Sequence, residues 1–280
     1  MITAEFEYER VSSVAEAVSA LVSGGDDAKL LAGGHSLVPL MKLRLAAPGR
    51  LIDISRVPGI SGVERDDALW RIGALCTHAR LSRSGAGLIS QVAATIADPQ
   101  VRNRGTIGGS LAHGDPASDL PAAILALDGS VVAHGPQGAR TIPAAEFFSD
   151  YMETALGPAE MVCEVLVPAM DGYGFGYEKF NRRAEDWAVV AVAAAVKVVD
   201  GACADVRVAL TNMGPTPLRA AAVEAGLRGQ PASEESIRAA AAHAADDTDP
   251  PADLDADADY KRHLATVLCE RALRAAVGVA

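Results

Sequence analysis

Two segments of this sequence set adjacent glycines in polar company: Ala32-Gly33-Gly34-His35-Ser36 and, well downstream, Thr106-Ile107-Gly108-Gly109-Ser110. Bare Cα atoms let a backbone turn tightly, so that consecutive N–H groups converge on an anion without interference from Cβ. A diphosphate is the natural guest of such a turn. Either segment alone reads equally well as an ordinary turn, but two in one lobe favour a shared ligand. Neither fits the Gly-Lys-Ser/Thr ending of a Walker loop or the Gly-x-Gly-x-x-Gly of a Rossmann unit.

The surrounding periodicities place these segments in an α+β framework. Val11, Val14, Ala15, Val18, Leu21 and Val22 recur at helical spacing, with Ser12 or Ser13 available as a cap. Gly24-Gly25-Asp26-Asp27 closes that helix, and residues 28–32 read as a strand running into the first glycine pair. Residues 51–54 and 69–74 are further strand candidates, 87–97 a helix, and 120–127 an apolar helix after the second pair. Asp200-Gly201 is a hairpin dipeptide between strands at 188–199 and 203–210. The Ala-rich segments 218–227 and 233–245 read as helices, 246–259 as a loop, and 260–277 as a closing helix. A chain of 280 residues exceeds the usual single-domain size, which predicts two lobes.

Composition narrows the function classes. Aromatic residues make up only 4% of the chain and the formal charge is -11, which disfavours stacking on bases and repels phosphate polymers; nucleic acid is not expected as a partner. Any bound phosphate must therefore be held by local groups. The beginning, Met1 to Glu7, lacks a basic segment followed by an apolar one, and no run approaches the roughly 18 apolar residues of a membrane span. A cytoplasmic location without a transmembrane segment is the expectation. Cys76, Cys163, Cys203 and Cys269 are scattered as free thiols, and no two of the six histidines fall at i, i+4, so no metal site is expected on this chain. The Asp-rich stretch 246–259 lacks the glycine and terminal glutamate of a calcium loop.

Before the apolar helix, Asp115-Pro116-Ala117-Ser118-Asp119 sets two carboxylates, with Ser118 or Asp119 available as a helix cap. Tyr177 and Trp187 are capable of stacking on an aromatic ligand, although lone aromatics beside Ala-rich strands are more often packing residues.

In order along the chain, Ala32-Gly33-Gly34-His35-Ser36, Ala97-Asp98-Pro99-Gln100-Val101-Arg102, Thr106-Ile107-Gly108-Gly109-Ser110, Gly114-Asp115-Pro116 and Asp119-Leu120-Pro121 form a recognisable series. It continues through Tyr177-Glu178-Lys179, Arg182-Arg183, Asp186-Trp187-Ala188, Leu210-Thr211-Asn212-Met213 and Tyr260-Lys261-Arg262. The series resembles the FAD-binding medium subunit of carbon monoxide dehydrogenase and xanthine dehydrogenase-type molybdenum hydroxylases over nearly the full chain.

The resemblance implies a two-subdomain FAD-binding domain of the vanillyl-alcohol-oxidase (PCMH) type over residues 1–172, divided near residue 57. A smaller C-terminal domain of antiparallel sheet plus helices would follow over 173–280. It implies that Leu31, Ala32, Gly33, Gly34, His35, Ser36, Leu37 and Val38, together with Thr106, Ile107, Gly108, Gly109 and Ser110, contact FAD. Ile96 would pack near the cofactor, Asp119 would hydrogen-bond it, Val162 would touch it through its backbone, and Lys179 would approach the flavin ring. Ser110 departs from the asparagine frequent in the family, replacing an amide donor with a shorter hydroxyl. FAD is expected to be held without a covalent bond to His35.

The same resemblance implies two partners: a large subunit carrying molybdopterin cytosine dinucleotide and a small subunit carrying 2Fe-2S clusters, assembled as a dimer of heterotrimers. Electrons would pass from those clusters through FAD to an external acceptor, and no catalytic residue is expected here. A self-contained FAD-dependent oxidase or reductase and a cofactor-free scaffold are the alternatives. Neither the substrate nor the acceptor is legible in this chain.

Overall fold

A computed structural model describes residues 2–279. The strand β1 (Glu7–Arg10), the helix α1 (Val14–Gly24), β2 (Ala28–Leu31), the short α2 (Leu37–Lys42) and β3 (Arg50–Asp53) form the first unit. Its sheet is parallel, in the order β1-β3-β2. The Ser13 hydroxyl caps α1 by accepting the Glu16 N–H at 3.1 Å, and the Glu16 carboxylate accepts the Ser12 N–H at 2.7 Å. Helix α1 then buries Ala17, Val18, Ala20 and Leu21 against the sheet.

The second unit is built on an antiparallel sheet of β4 (Val63–Asp66), β5 (Leu69–Gly73), β6 (Ser130–Gly135), β7 (Gly138–Pro143) and β10 (Met161–Pro168), ordered β4-β5-β10-β6-β7. Between β5 and β6 run α3 (His78–Leu81), α4 (Gly87–Thr95), α5 (Pro99–Arg102), α6 (Ile107–His113) and α7 (Asp119–Ala126). After β7 come α8 (Ala144–Phe147) and the small hairpin of β8 (Phe148–Asp150) and β9 (Glu153–Thr154). Every residue of α7 is buried, as a helix apolar on all sides requires.

The third unit is the antiparallel sheet β11 (Tyr173–Phe180), β12 (Val190–Val199), β13 (Ala202–Thr211) and β14 (Leu218–Arg219), followed by α9 (Ala221–Leu227), α10 (Glu234–Ala241) and α11 (Ala258–Val277). The β12–β13 turn has Asp200 at φ 51° and Gly201 at φ 77°, the positive pair expected of that dipeptide. Alternation along β12 serves two cores. Val192, Ala194 and Val196 join the core with α11, whereas Ala193 and Ala195 pack in the core that contains α7. Small alanines on that face let α7 lie close to the sheet. Glycine does the same on β11: a Cβ at Gly174 or Gly176 would overlap the Ala276 or Ala272 carbonyl of α11.

Two expectations change. Residues 218–219 are strand β14, paired with Leu210 and Ala209, and the helix begins only at Ala221; alanine content does not reveal a ladder formed with a distant strand. The second glycine pair is not in a loop but in the first turn of α6. No helix among the described residues is long and apolar enough to cross a membrane.

Candidate functional site

A cleft of about 610 Å³ opens between the first and second units, with β11 and the segment 185–187 of the third unit on its rim. Its size is that of a cofactor or small-ligand site. The two glycine segments meet in its floor. A Cβ on Gly33 would overlap the Arg104 carbonyl and approach the Gly105 Cα at 2.9 Å, so the first segment lies backbone on backbone against Arg104-Gly105, the residues just ahead of the second segment. Gly33 is thus required by protein packing, whereas Gly34, at φ 80°, is required by its backbone conformation. Gly108 resembles Gly33, since its Cβ would stand 2.5 Å from the Ala74 Cβ.

The segments differ in what they offer a ligand. From Gly33 to Leu37, no backbone N–H has an acceptor among the described residues, and Ser36 at the start of α2 makes no capping bond. In the second segment the Ile107 N–H donates to the Cys76 carbonyl at 3.0 Å, and the Gly108 N–H to the Ala74 carbonyl at 2.9 Å. The Gly109 N–H donates to Thr106 Oγ1 at 3.2 Å and the Ser110 N–H to the Thr106 carbonyl at 3.0 Å. The expectation that both segments present free amides therefore holds only for the first. The second contributes smooth backbone surface, the positive end of α6, and the Ser110 hydroxyl, which lies 2.9 Å from that of Ser118.

Asp119 does not cap α7. Its Oδ2 accepts from Lys179 Nζ at 2.9 Å and its Oδ1 from the Tyr177 hydroxyl, both donors coming from β11. Burial pushes the Asp119 carboxyl above its ordinary range while Lys179 and Tyr177 pull it back. The Tyr177 hydroxyl is raised well above normal by burial and by the adjacent carboxylate. The cluster is thus a closed, nearly neutral polar unit with one wall on the cleft.

Of the residues named from the sequence, Leu31, Ala32, Gly33, Gly34, His35, Ser36, Leu37, Ile96, Thr106, Gly108, Gly109, Ser110, Asp119, Val162 and Lys179 line this cleft. Val38 and Ile107 do not: Val38 sits half-buried in α2, and Ile107 is fully buried in the core beneath α6. Trp187, read as a core or interface residue, is 51% exposed on the rim and so does not belong to the core. The acidic groups at the cleft are largely held by cations, Glu160 by Arg140 at 2.7 Å and Asp186 by Arg183 at 3.0 Å, which limits their repulsion of an anionic guest. Sequence reasoning missed His78 and the turn Gly157-Pro158, both of which line the cleft; neither belongs to a local pattern. Among the described residues no cluster of His, Cys, Asp and Glu has the form of a metal site.

A family model for the FAD-binding domain in molybdopterin dehydrogenase matches residues 4–170, and one for the CO dehydrogenase flavoprotein C-terminal domain matches residues 175–276. The chain is 44% identical to the carbon monoxide dehydrogenase medium chain of Hydrogenophaga pseudoflava, covering 99% of this chain and 98% of that one. It is 39% identical to subunit alpha of the 6-hydroxypseudooxynicotine dehydrogenase complex of Paenarthrobacter nicotinovorans, over 97% and 94% of the two chains. A solved structure of Hydrogenophaga pseudoflava carbon monoxide dehydrogenase lacking the Mo-pyranopterin moiety superposes with a TM-score of 0.96 at 46% identity, covering 100% of this chain and 99% of that one. The PCMH-type domain followed by a smaller sheet-and-helix domain is thus established, and the chain belongs to the FAD-binding medium subunits of the carbon monoxide dehydrogenase and xanthine dehydrogenase type of molybdenum hydroxylase.

Proposed function

We propose that this chain seats FAD in the cleft between its first two units and passes electrons from the 2Fe-2S clusters of a small partner subunit to an external acceptor. The observation that carries the reading is the run of unpaired amides from Gly33 to Leu37, on residues that line a cleft of cofactor size. Such a nest holds a diphosphate by direct N–H donation, even on a chain with a charge of -11. Bound flavin supplies the junction between one-electron carriers and a two-electron acceptor.

In this reading Leu31 to Leu37 grip the diphosphate, Thr106 and Gly108 to Ser110 shape the opposing wall, and Ile96 and Val162 pack against the cofactor. Lys179, fixed by Asp119, directs its remaining N–H groups towards the flavin ring and favours negative charge there. Val38 and Ile107 support these walls from behind. The domain division falls at 172/173, in the turn between β10 and β11. A large molybdopterin subunit performs the hydroxylation, and the complex is a cytoplasmic dimer of heterotrimers. Relatives named as subunits of dehydrogenases for molecules as different as carbon monoxide and 6-hydroxypseudooxynicotine fit with substrate choice lying outside this chain.

The test is an absorption spectrum of the purified chain before and after acid precipitation, with co-purification from the native source. Yellow, acid-releasable FAD and two companion subunits are the expected result. A colourless chain that takes up no FAD would overturn the assignment.

A further inference from the structure

Positive charge is concentrated in one stretch of this acidic chain. Residues 68–114 contain five arginines and a single acid, Asp98, whereas the chain as a whole carries -11. Arg71 is neutralised by Glu164 at 2.6 Å. The other four, Arg80, Arg83, Arg102 and Arg104, make no ion pair among the described residues. Asp98 is spent as the cap of α5, its Oδ1 accepting the Val101 N–H at 2.8 Å.

The fold gathers these four cations on neighbouring elements. Arg80 lies in α3 and Arg83 just beyond it, its N–H donating to the Arg80 carbonyl at 3.2 Å. Arg102 ends α5 and Arg104 follows. Helix α3 packs on α5, and the His78 N–H ties the two regions by donating to the Gly105 carbonyl at 3.0 Å. Arg80, Arg83 and Arg104 are exposed, whereas Arg102 is half-buried, its Nη1 donating to the Ile96 and Ala97 carbonyls at 2.8 and 2.6 Å. The cations adjoin the wall of the cleft: Ile96, Ala97, Val101 and Gly105 line it, and Gly33 rests on the Arg104 carbonyl.

Uncompensated cations on an acidic protein attract an anionic partner and speed its approach. None of the four lines the cleft or the smaller cavity beside Arg71, so they suit an extended acidic face better than a small enclosed anion. A phosphate polymer longer than this region would meet the negative charge of the rest of the chain. A protein seated here lies beside the wall of the cofactor cleft, where an electron carrier has to sit, because electrons cross only short gaps between redox centres. We propose that Arg80, Arg83, Arg102 and Arg104 form the docking surface for an acidic face of the small 2Fe-2S subunit. The inference rests on the assignment of that subunit as partner and of FAD to this cleft.

The test is the rate at which the purified small subunit associates with the full-length, FAD-loaded chain in low and in high salt. The parent is compared with Arg80→Glu/Arg83→Glu, with the milder Arg80→Gln/Arg83→Gln, and with Arg271→Glu, an exposed arginine of α11. The side chains of Arg80 and Arg83 make no hydrogen bond among the described residues, so FAD content is expected to match the parent in every variant. In low salt the glutamate pair is expected to associate about tenfold more slowly and the glutamine pair to fall between it and the parent. Arg271→Glu should stay within about twofold of the parent, and the differences should fade in high salt. The proposal is overturned if the glutamate pair associates like the parent. It is equally overturned if the loss persists undiminished in high salt, which would mark a packing role, or if Arg271→Glu loses as much, which would mark net charge alone. A loss confined to the large subunit, or to vesicles of anionic lipid, overturns the choice of partner. A parent that does not bind the small subunit brings down the partner assignment itself, whereas a parent that binds beside an unaffected glutamate pair removes only this docking surface.

Discussion

Lys179 Nζ lies 2.9 Å from Asp119 Oδ2, with the two side chains only 6% and 4% exposed, and this pair joins β11 of the third unit to the start of α7 in the second. Removing one partner leaves the other buried without its opposite charge. Lys179→Met is expected to destabilise the chain by about 3–5 kcal/mol in urea unfolding. Combined with Asp119→Asn, it should cost clearly less than the sum of the two single changes. Strict additivity would show that the pair is not coupled.

Crowding at the glycines predicts an effect on folding as well as on cofactor uptake. Gly33→Val and Gly108→Val should each lose about 1–3 kcal/mol or more through overpacking, because their side chains would collide with Arg104 and Ala74 inside the protein. Gly226→Ala in α9 is the control. Its Cβ would meet nothing nearer than Ala240 at 3.8 Å, so a gain of about 0.4–1 kcal/mol is expected. Thermal denaturation of the three variants checks the order.

The buried neutral state of His78 sets a sign for the pH dependence of stability. The folded pKa is lowered to about 4 from an ordinary 6.5, by burial first and then by His35 and Arg102. Above the ordinary value both folded and unfolded chains carry neutral imidazole, and the contribution is complete. As pH falls from 6.5 towards 4, the unfolded chain takes up the proton first, so stability is lost across that window. The loss is about 3 kcal/mol at most, at about 1.4 kcal/mol per pH unit. His78→Gln should lack this component, which urea titrations at pH 7 and pH 4.5 would reveal as a smaller difference.

The thiols should be inert in the native chain. Cys76, Cys163, Cys203 and Cys269 are all buried and unpaired. Burial pushes Cys76 and Cys163 up to about 11 and Cys269 up to about 12. Little thiolate therefore exists at pH 8. A colourimetric thiol reagent is expected to react slowly with native protein and with all four thiols after denaturation. Rapid labelling of the native chain would contradict this packing.

Much of the framework was legible because its causes are local. The apolar spacing and Ser13 specify α1, Asp200-Gly201 specifies the β12–β13 hairpin, and periodicity specifies α4, α7 and α11. Gly33 and Gly108 mark the cleft floor in the same way, since only bare Cα atoms permit their close approach to Arg104-Gly105 and to Ala74. Composition could not show that Leu218 and Arg219 extend a sheet, because a strand pairing is satisfied by a partner elsewhere in the chain.

The order of motifs along the chain, by itself, determined the family and the cofactor class. Only the tertiary structure decided which amides remain free: those of Gly33 to Leu37 have no acceptor among the described residues, while those of Ile107 and Gly108 are consumed by the carbonyls of Cys76 and Ala74. It also decided that Asp119 meets Tyr177 and Lys179 rather than capping its own helix, and that His78 lies beneath Gly105. The physical reason is common to all three. Whether a polar group is spent or available depends on which distant groups the fold brings within about 3 Å of it, and residue spacing along the chain does not carry that distance.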